Sequence, residues 1–166
     1  MIVLPNELEG LTTKDAREFF CKHRKKILSK LSIFDLILQG DKPLPFVHGV
    51  YMFFSPEDIC LYVGRVMSPQ FVERMPSHFA ISEGSRFNQF LKAHQDHNGF
   101  ATLEDAAISA RDCKVLILPM EHGIINKMER LFILLLDPKY NKRKPNKRLY
   151  DKITSDMKIT DAIKIL

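Results

Sequence analysis

The sequence predicts a mixed α+β domain, and three observations carry that prediction. Two short, strand-forming apolar runs flank Ser55-Pro56-Glu57-Asp58, the pattern of a β-hairpin over about Gly49 to Arg65. Lys114 to Pro119 is an apolar run typical of a buried strand. Much of the remainder follows helical spacing, most strongly from Gly123 to Leu136.

Taken in order, Thr12 or Thr13 caps a long helical pattern. Ala16, Phe19, Phe20, His23, Ile27, Leu28, Leu31 and Phe34 lie on one side of it, and Lys22, Arg24, Lys25 and Lys26 cluster on and around the other. The pattern ends near Gly40, before the linker Asp41-Lys42-Pro43-Leu44-Pro45. In the hairpin, taking the four-residue segment as the loop pairs Phe54 with Ile59 and sets Tyr51 opposite Tyr62. Tyr51, Phe53, Cys60 and Tyr62 then share one face. Short helices are expected over about Gln70–Phe79, Ser85–His94 and Leu103–Arg111, the last opened by Thr102. Asp137-Pro138 stops the helix that begins at Gly123. A basic stretch follows Tyr140, with a last short helix within Asp156–Leu166. The expected organisation is a helical N-terminal extension (1–45), a central domain (46–145) and a basic C-terminal tail (146–166).

The chain of 166 residues suits one domain with extensions. No apolar run approaches the ~20 residues that span a bilayer, and Met1 to Gly10 does not read as a signal peptide. Three widely spaced cysteines, Cys21, Cys60 and Cys113, argue against a disulfide framework and suit a reducing, cytoplasmic setting. The net charge of +5 is unevenly placed. Lys14–Lys30 and Asp137–Lys152 each hold seven basic and two acidic residues. Localised basic surface suits a polyanion, most often nucleic acid; solvated faces are the plainer explanation. A continuous basic amphipathic helix at Lys14–Lys30 would also suit an acidic protein or a membrane surface.

Glu129 stands out on the 123–136 helix. It lies on the stripe of Ile125, Met128, Phe132 and Leu136, where a bare carboxylate costs several kcal/mol unless paired, hydrogen-bonded or metal-bound. A salt bridge to Arg130 or a nearby lysine would satisfy it equally. Arg74 and His78 are four apart and face one way if their segment is helical, although Pro76 interrupts it. Arginine binds phosphate in bidentate fashion, and histidine exchanges a proton near neutral pH. His94 and His97, with only Asp96 nearby, do not make a metal site and read as surface histidines.

In order, Gly49-Val50-Tyr51, Tyr62-Val63-Gly64, Arg65, Arg74-xxx-His78, Glu129 and Pro138-Lys139-Tyr140-Asn141 resemble the GIY-YIG nuclease superfamily. Val50 replaces the isoleucine of the family name, and Ser85–Asn98 reads as an insertion. The resemblance runs from Gly49 to about Asn141. It implies a three-stranded antiparallel sheet (about 48–54, 59–65 and 114–119) flanked by helices. It also implies a nuclease using Mg²⁺ or Mn²⁺, usually on DNA, with one metal held mainly by Glu129.

On that basis the scissile phosphate is expected on the tyrosine face, with Arg74 and Arg65 on its non-bridging oxygens. Tyr51, beside Tyr62, is the first candidate to take the proton from water, and His78 competes. Lys22, Arg24, Lys25 and Lys26 on one side, and Lys142, Arg143, Lys144, Lys147 and Arg148 on another, are candidate phosphate contacts on duplex DNA. Asn141 is expected to position the helix end or a phosphate. The N-terminal helix and the 85–98 insertion are candidate sequence readers. The alternative class is a nucleic-acid-binding module of the same fold without catalysis.

Overall fold

The structure is a computed structural model in which residues 2–68, 70–82, 84–142 and 146–166 are described, the side chains of Lys147 and Tyr150 excepted. Arg143 and Lys144, and the side chain of Lys147, expected as phosphate contacts, lie outside that description.

The elements in chain order are α1 (Pro5–Leu8), α2 (Thr13–Lys22), β1 (Lys26–Ile27), β2 (Leu38–Gln39), β3 (Lys42–Pro43), β4 (Gly49–Phe54) and β5 (Cys60–Val66). Then come α3 (Phe71–Ser77), α4 (Gln89–Asn98), α5 (Leu103–Ala110), β6 (Lys114–Pro119), α6 (Ile125–Leu136), α7 (Lys147–Tyr150) and α8 (Ile159–Ile165). The fold is mixed α+β. Its main sheet is antiparallel, in the order β1-β6-β4-β5, and β2-β3 form a separate two-stranded ribbon.

Both faces of the sheet are covered. Val50, Met52, Phe54, Cys60, Val63, Leu116 and Leu118 pack with α2, α6 and α8. Tyr51, Phe53, Tyr62, Val66, Val115 and Ile117 pack with α3, α4 and α5. Burial on both sides explains why β4 and β6 read as near-continuous apolar runs. The expected bounds of β6 agree with those observed, and α6 ends at Leu136, where Asp137 turns left-handed (φ 43°) ahead of Pro138.

The N-terminal helix is shorter than its periodicity suggests. Thr12 caps α2 through its hydroxyl, which accepts from the Asp15 N–H at 3.1 Å, but α2 stops at Lys22. Residues 26–27 then pair with the outer edge of β6, making a fourth strand. An unpaired sheet edge competes with helix continuation here, and pairing wins. Lys26 and Ile27 are therefore part of the sheet, and no continuous basic helix runs from Lys14 to Lys30. The apolar side of α2, Ala16 and Phe20, is fully buried, so it offers nothing to a membrane. Among the described residues no helix is long and apolar enough to cross one. The C-terminus is likewise no free tail: Ile159 and Ala162 of α8 are buried in the core, and Ile159 N–H donates to the Leu11 carbonyl at 2.9 Å.

Lys25 corrects its expected role. Its side chain is only 1% exposed and pairs with Asp58 at 3.1 Å. The ammonium also donates to the Cys21 and His23 carbonyls at 2.9 and 3.1 Å and lies over the Phe54 ring. It ties the end of α2 to the hairpin loop and is no phosphate contact. Lys25→Ala is expected to destabilise the protein by about 1–2 kcal/mol, because the Cys21 and His23 carbonyls lose their donor and the Phe54 ring loses the ammonium over it, while Asp58 keeps Lys114 at 3.0 Å. Chemical denaturation checks this; a loss of DNA affinity with stability intact would contradict it.

The hairpin register also differs. Ser55 N–H donates to the Ile59 carbonyl at 2.8 Å, and Asp58 is left-handed (φ 66°). A bulge follows: Phe54 pairs with Cys60, but Phe53 pairs with Tyr62 and Tyr51 with Gly64. An extra residue in one strand flips what comes before it to the other face. Cys60 therefore faces α2 and α6 rather than sharing the tyrosine face, and Tyr51 and Tyr62 are diagonal neighbours with ring centroids 6.2 Å apart.

Candidate active site

The tyrosine face is built around His78. It follows α3 and is fully buried among Tyr51, Phe53 and Tyr62, whose ring centroids lie 5.3, 5.5 and 5.3 Å from its own. The Tyr51 hydroxyl hydrogen-bonds to His78 Nε2. Burial, reinforced by the Arg74 charge, lowers the imidazole to about 3. A neutral imidazole accepts through Nε2 only if Nδ1 carries the hydrogen, and Nδ1 has no hydrogen-bond partner among the described residues. Burial pushes the Tyr51 phenol far above its ordinary range, with Tyr62 adding to the shift and Arg74 opposing it. Tyr62 is raised for the same first reason and opposed by the same arginine. The Arg74 charge thus bears on both phenols, and its guanidinium donates to Ser77 Oγ at 3.2 Å.

Gly64 makes room for this arrangement. A Cβ there would strike the hydroxyl and ring of Tyr51, its cross-strand partner. Gly49 is held by a different constraint: its φ is 152°, and a Cβ would strike the Leu118 carbonyl. The glycines of the two motif triplets thus serve close packing across the sheet.

Glu129 and Arg65 lie on the other face. Arg65 is three residues from Tyr62, so strand alternation points it toward α6. It donates to Glu129 at 2.7 Å, and the two side chains are 43% and 17% exposed. The predicted pairing of Glu129 is therefore real, with Arg65 rather than Arg130 or a lysine as the partner. Burial raises the Glu129 carboxyl, and Arg65 is the main influence holding it down.

The faces meet at the edge of β5. A cleft of about 920 Å³ runs there, lined among others by Tyr62, Arg65, Glu129, Asn141 and Lys142. A phosphate placed on the tyrosine face itself would have to enter the core, because Tyr51 and His78 are wholly covered. Of the two motif tyrosines, Tyr62 reaches the cleft. Tyr51 and His78 stand behind it.

The segment 139–141 closes part of that edge. Lys139 and Tyr140 N–H groups donate to the Cys60 and Leu61 carbonyls at 3.3 and 2.7 Å. Asn141 accepts from Val63 N–H at 2.9 Å and donates to the Val63 carbonyl at 2.8 Å. Its amide imitates a strand partner, so its role is to position β5 rather than to hold a phosphate. Tyr140 is anchored in turn by His94, whose Nδ1 lies 2.9 Å from the phenol oxygen. His94 is buried, which corrects its reading as a surface histidine; His97 is exposed and stacks on Tyr140.

The basic flanks separate. Lys22 pairs with Glu18 and Lys26 with Asp35, both at 3.4 Å, and Arg24 is exposed. All three lie at or next to β1, on the edge of the sheet opposite β5. Lys142 lines the cleft, and Arg148 is exposed on α7. Sequence reasoning missed Gln89, Lys92 and Arg130, which also line it. A signal existed for the first two: they stand at i and i+3 of α4, alternating with the buried Phe90, Leu91 and His94.

Among the described residues no group of three or more His, Cys, Asp or Glu is placed to hold a metal. The donor set is the single Glu129 carboxylate, partly exposed to the cleft. That fits Mg²⁺ or Mn²⁺, which keep water ligands and share substrate phosphate oxygens, once Arg65 turns away. Comparison with family models, curated proteins and solved structures finds no match.

Proposed function

We propose that this protein is a divalent-metal-dependent endonuclease of the GIY-YIG type, cutting DNA as a small restriction-like or mobile-element enzyme. One observation carries the reading: the residues of the ordered motif, dispersed from Tyr51 to Glu129, converge on and immediately behind one cleft at the edge of β5.

Arg65 and Arg74 bind non-bridging oxygens of the scissile phosphate, and neutralise charge that grows as water attacks. In the substrate complex Arg65 would move from Glu129 to the phosphate, and the Glu129 carboxylate would hold Mg²⁺ or Mn²⁺. The cation supplies stabilisation of the leaving oxygen. Tyr62 faces the attacking water, with the Tyr51 ring behind it at a centroid separation of 6.2 Å. Arg74 favours the phenolate of this pair, against the burial that disfavours it. His78, held neutral, accepts from Tyr51 and fixes its hydroxyl.

The test is incubation of supercoiled and linear duplex DNA with and without Mg²⁺ or Mn²⁺, beside a Glu129→Ala control. Metal-dependent cutting that the control lacks supports the enzyme. DNA retarded but uncut under every condition supports the binding module instead, a reading favoured by the ion pair that occupies Glu129.

A pH profile tests the base. Because the phenols are raised, the deprotonated form is scarce at neutral pH, so the single-turnover rate should climb as pH rises from 6 to 9. Tyr51→Phe and Tyr62→Phe should each lower the rate by about 10²-fold. A rate that stays flat from pH 6 to 9 and collapses in His78→Gln would instead make His78, already neutral across that range, the base.

A further inference from the structure

Beside the cleft, Phe87 takes no part in the chemistry above. It is 60% exposed, and Arg74 covers one side of its ring with Cζ 5.5 Å from the centroid. A solitary exposed phenylalanine is ordinary; one seated on an active-site guanidinium is not. The ring is also firmly mounted. Its N–H donates to Ser85 Oγ at 3.3 Å. The next residue, Asn88, is fully buried, and its amide donates to the Ala80 and Ser82 carbonyls at 2.7 and 3.2 Å. Helix α4 starts directly after it, and presents Gln89 and Lys92 to the cleft. Lys92 Nζ reaches back to the Ser85 carbonyl at 3.0 Å. Phe87, Gln89 and Lys92 thus belong to one braced unit.

We propose that Phe87 is a stacking platform for a DNA base that has left the helical stack next to the scissile phosphate, with Gln89 reading the edge of that base. The proposal rests on the nuclease reading. Among the described residues the cleft is lined by the cations Arg65, Lys92, Arg130 and Lys142 and by one carboxylate, Glu129, so a polyanion fits it. Arg74, which covers one side of Phe87, is one of the two arginines assigned to the phosphate in that reading. In a nucleotide one sugar separates base from phosphate, so a base that leaves the stack beside that phosphate can turn toward the open side of Phe87. A base kept inside a duplex offers only its edges, whereas the open face of Phe87 needs a whole base face. Gln89 carries a donor and an acceptor, as edge reading requires. The preferred substrate is therefore DNA with a mismatched or unpaired nucleotide at the cutting position.

The experiment measures equilibrium affinity in the absence of divalent metal, by fluorescence anisotropy, for short duplexes that are fully paired or carry one mismatch. Wild type should favour the mismatched duplex by about tenfold. Phe87→Leu keeps the apolar bulk without the aromatic face and should remove that preference; Phe87→Trp should restore it. An equal preference in wild type and Phe87→Leu, its loss in Phe87→Trp, or no preference in wild type overturns the proposal. The two readings fail separately. Glu129-dependent cutting with no mismatch preference refutes the stacking role alone. A Phe87-dependent preference without metal-dependent cutting refutes the nuclease alone. No DNA binding refutes both.

Discussion

Glu129→Gln is expected to lower the single-turnover rate of Mg²⁺-dependent DNA cleavage by about 10³-fold or more and to leave the protein folded. Both halves follow from the position of the side chain. Glu129 is the carboxylate that lines the cleft, and no cluster of acidic or histidine ligands among the described residues can replace it. Gln keeps the shape and loses the charge that a hard cation requires. Transition-state stabilisation by a metal is worth several kcal/mol, and each 1.36 kcal/mol is a factor of ten. The folded state should tolerate the change. Burial already disfavours the charged carboxylate, and Arg65 is exposed enough to turn to water. Surface-side ion pairs of this kind contribute about 1 kcal/mol or less. Rates measured beside thermal unfolding separate the two effects. A purified Glu129→Gln protein that cuts at the wild-type rate would remove this residue from the mechanism; a protein that has lost both activity and its unfolding transition would make Glu129 structural.

Gly64→Ala is expected to damage stability and activity together, through one contact. The added methyl group points at the Tyr51 ring across the hairpin. Tyr51 is fully buried, packed against Phe53 and His78, and cannot swing into solvent. Overpacking at such sites costs about 1–3 kcal/mol. The strain also moves the Tyr51 hydroxyl off His78 Nε2, and a displacement of this scale lowers rates by about 10²-fold even in molecules that remain folded. Gly49→Ala provides the contrast. Its clash is with the Leu118 backbone, so it should cost stability without the same loss of rate per folded molecule. A double variant, Gly64→Ala with Tyr51→Leu, should be more stable than the sum of its parts, because the smaller side chain vacates the space. Simple additivity, or a silent Gly64→Ala, would mean that Tyr51 does not lie opposite Gly64.

The chain is most legible where one short segment settles the matter alone. The bounds of β6, the existence of the hairpin, the stop at Asp137-Pro138 and the anomalous position of Glu129 all follow from apolar runs, breakers and helical spacing. They depend on neighbours within a turn or two of chain, which the sequence displays directly. The candidate set of Tyr51, Tyr62, Arg65, Arg74, His78 and Glu129 rests instead on its order along the chain, which is a resemblance and not a local pattern.

What sequence patterning could not supply was the outcome of competition between distant segments. Ile27, Leu28, Leu31 and Phe34 keep helical spacing, yet the open edge of β6 draws residues 26–27 into the sheet. Lys25 carries the same charge as its neighbours, and only the approach of Asp58 and Phe54 distinguishes a buried brace from a solvated lysine. The bulge at Phe54 turns on the closure between Ser55 and Ile59, and that one residue reassigns Cys60 to the opposite face. The site itself is of this kind. Tyr62 and Glu129 belong to opposite faces of the sheet and share a cleft because β5 is an edge strand. The sequence by itself determined the hairpin, β6 and α6, since apolar runs, helical spacing and chain breakers decide those locally. Tertiary structure alone decided register, edge and depth, because each is set by contacts between residues far apart in the chain.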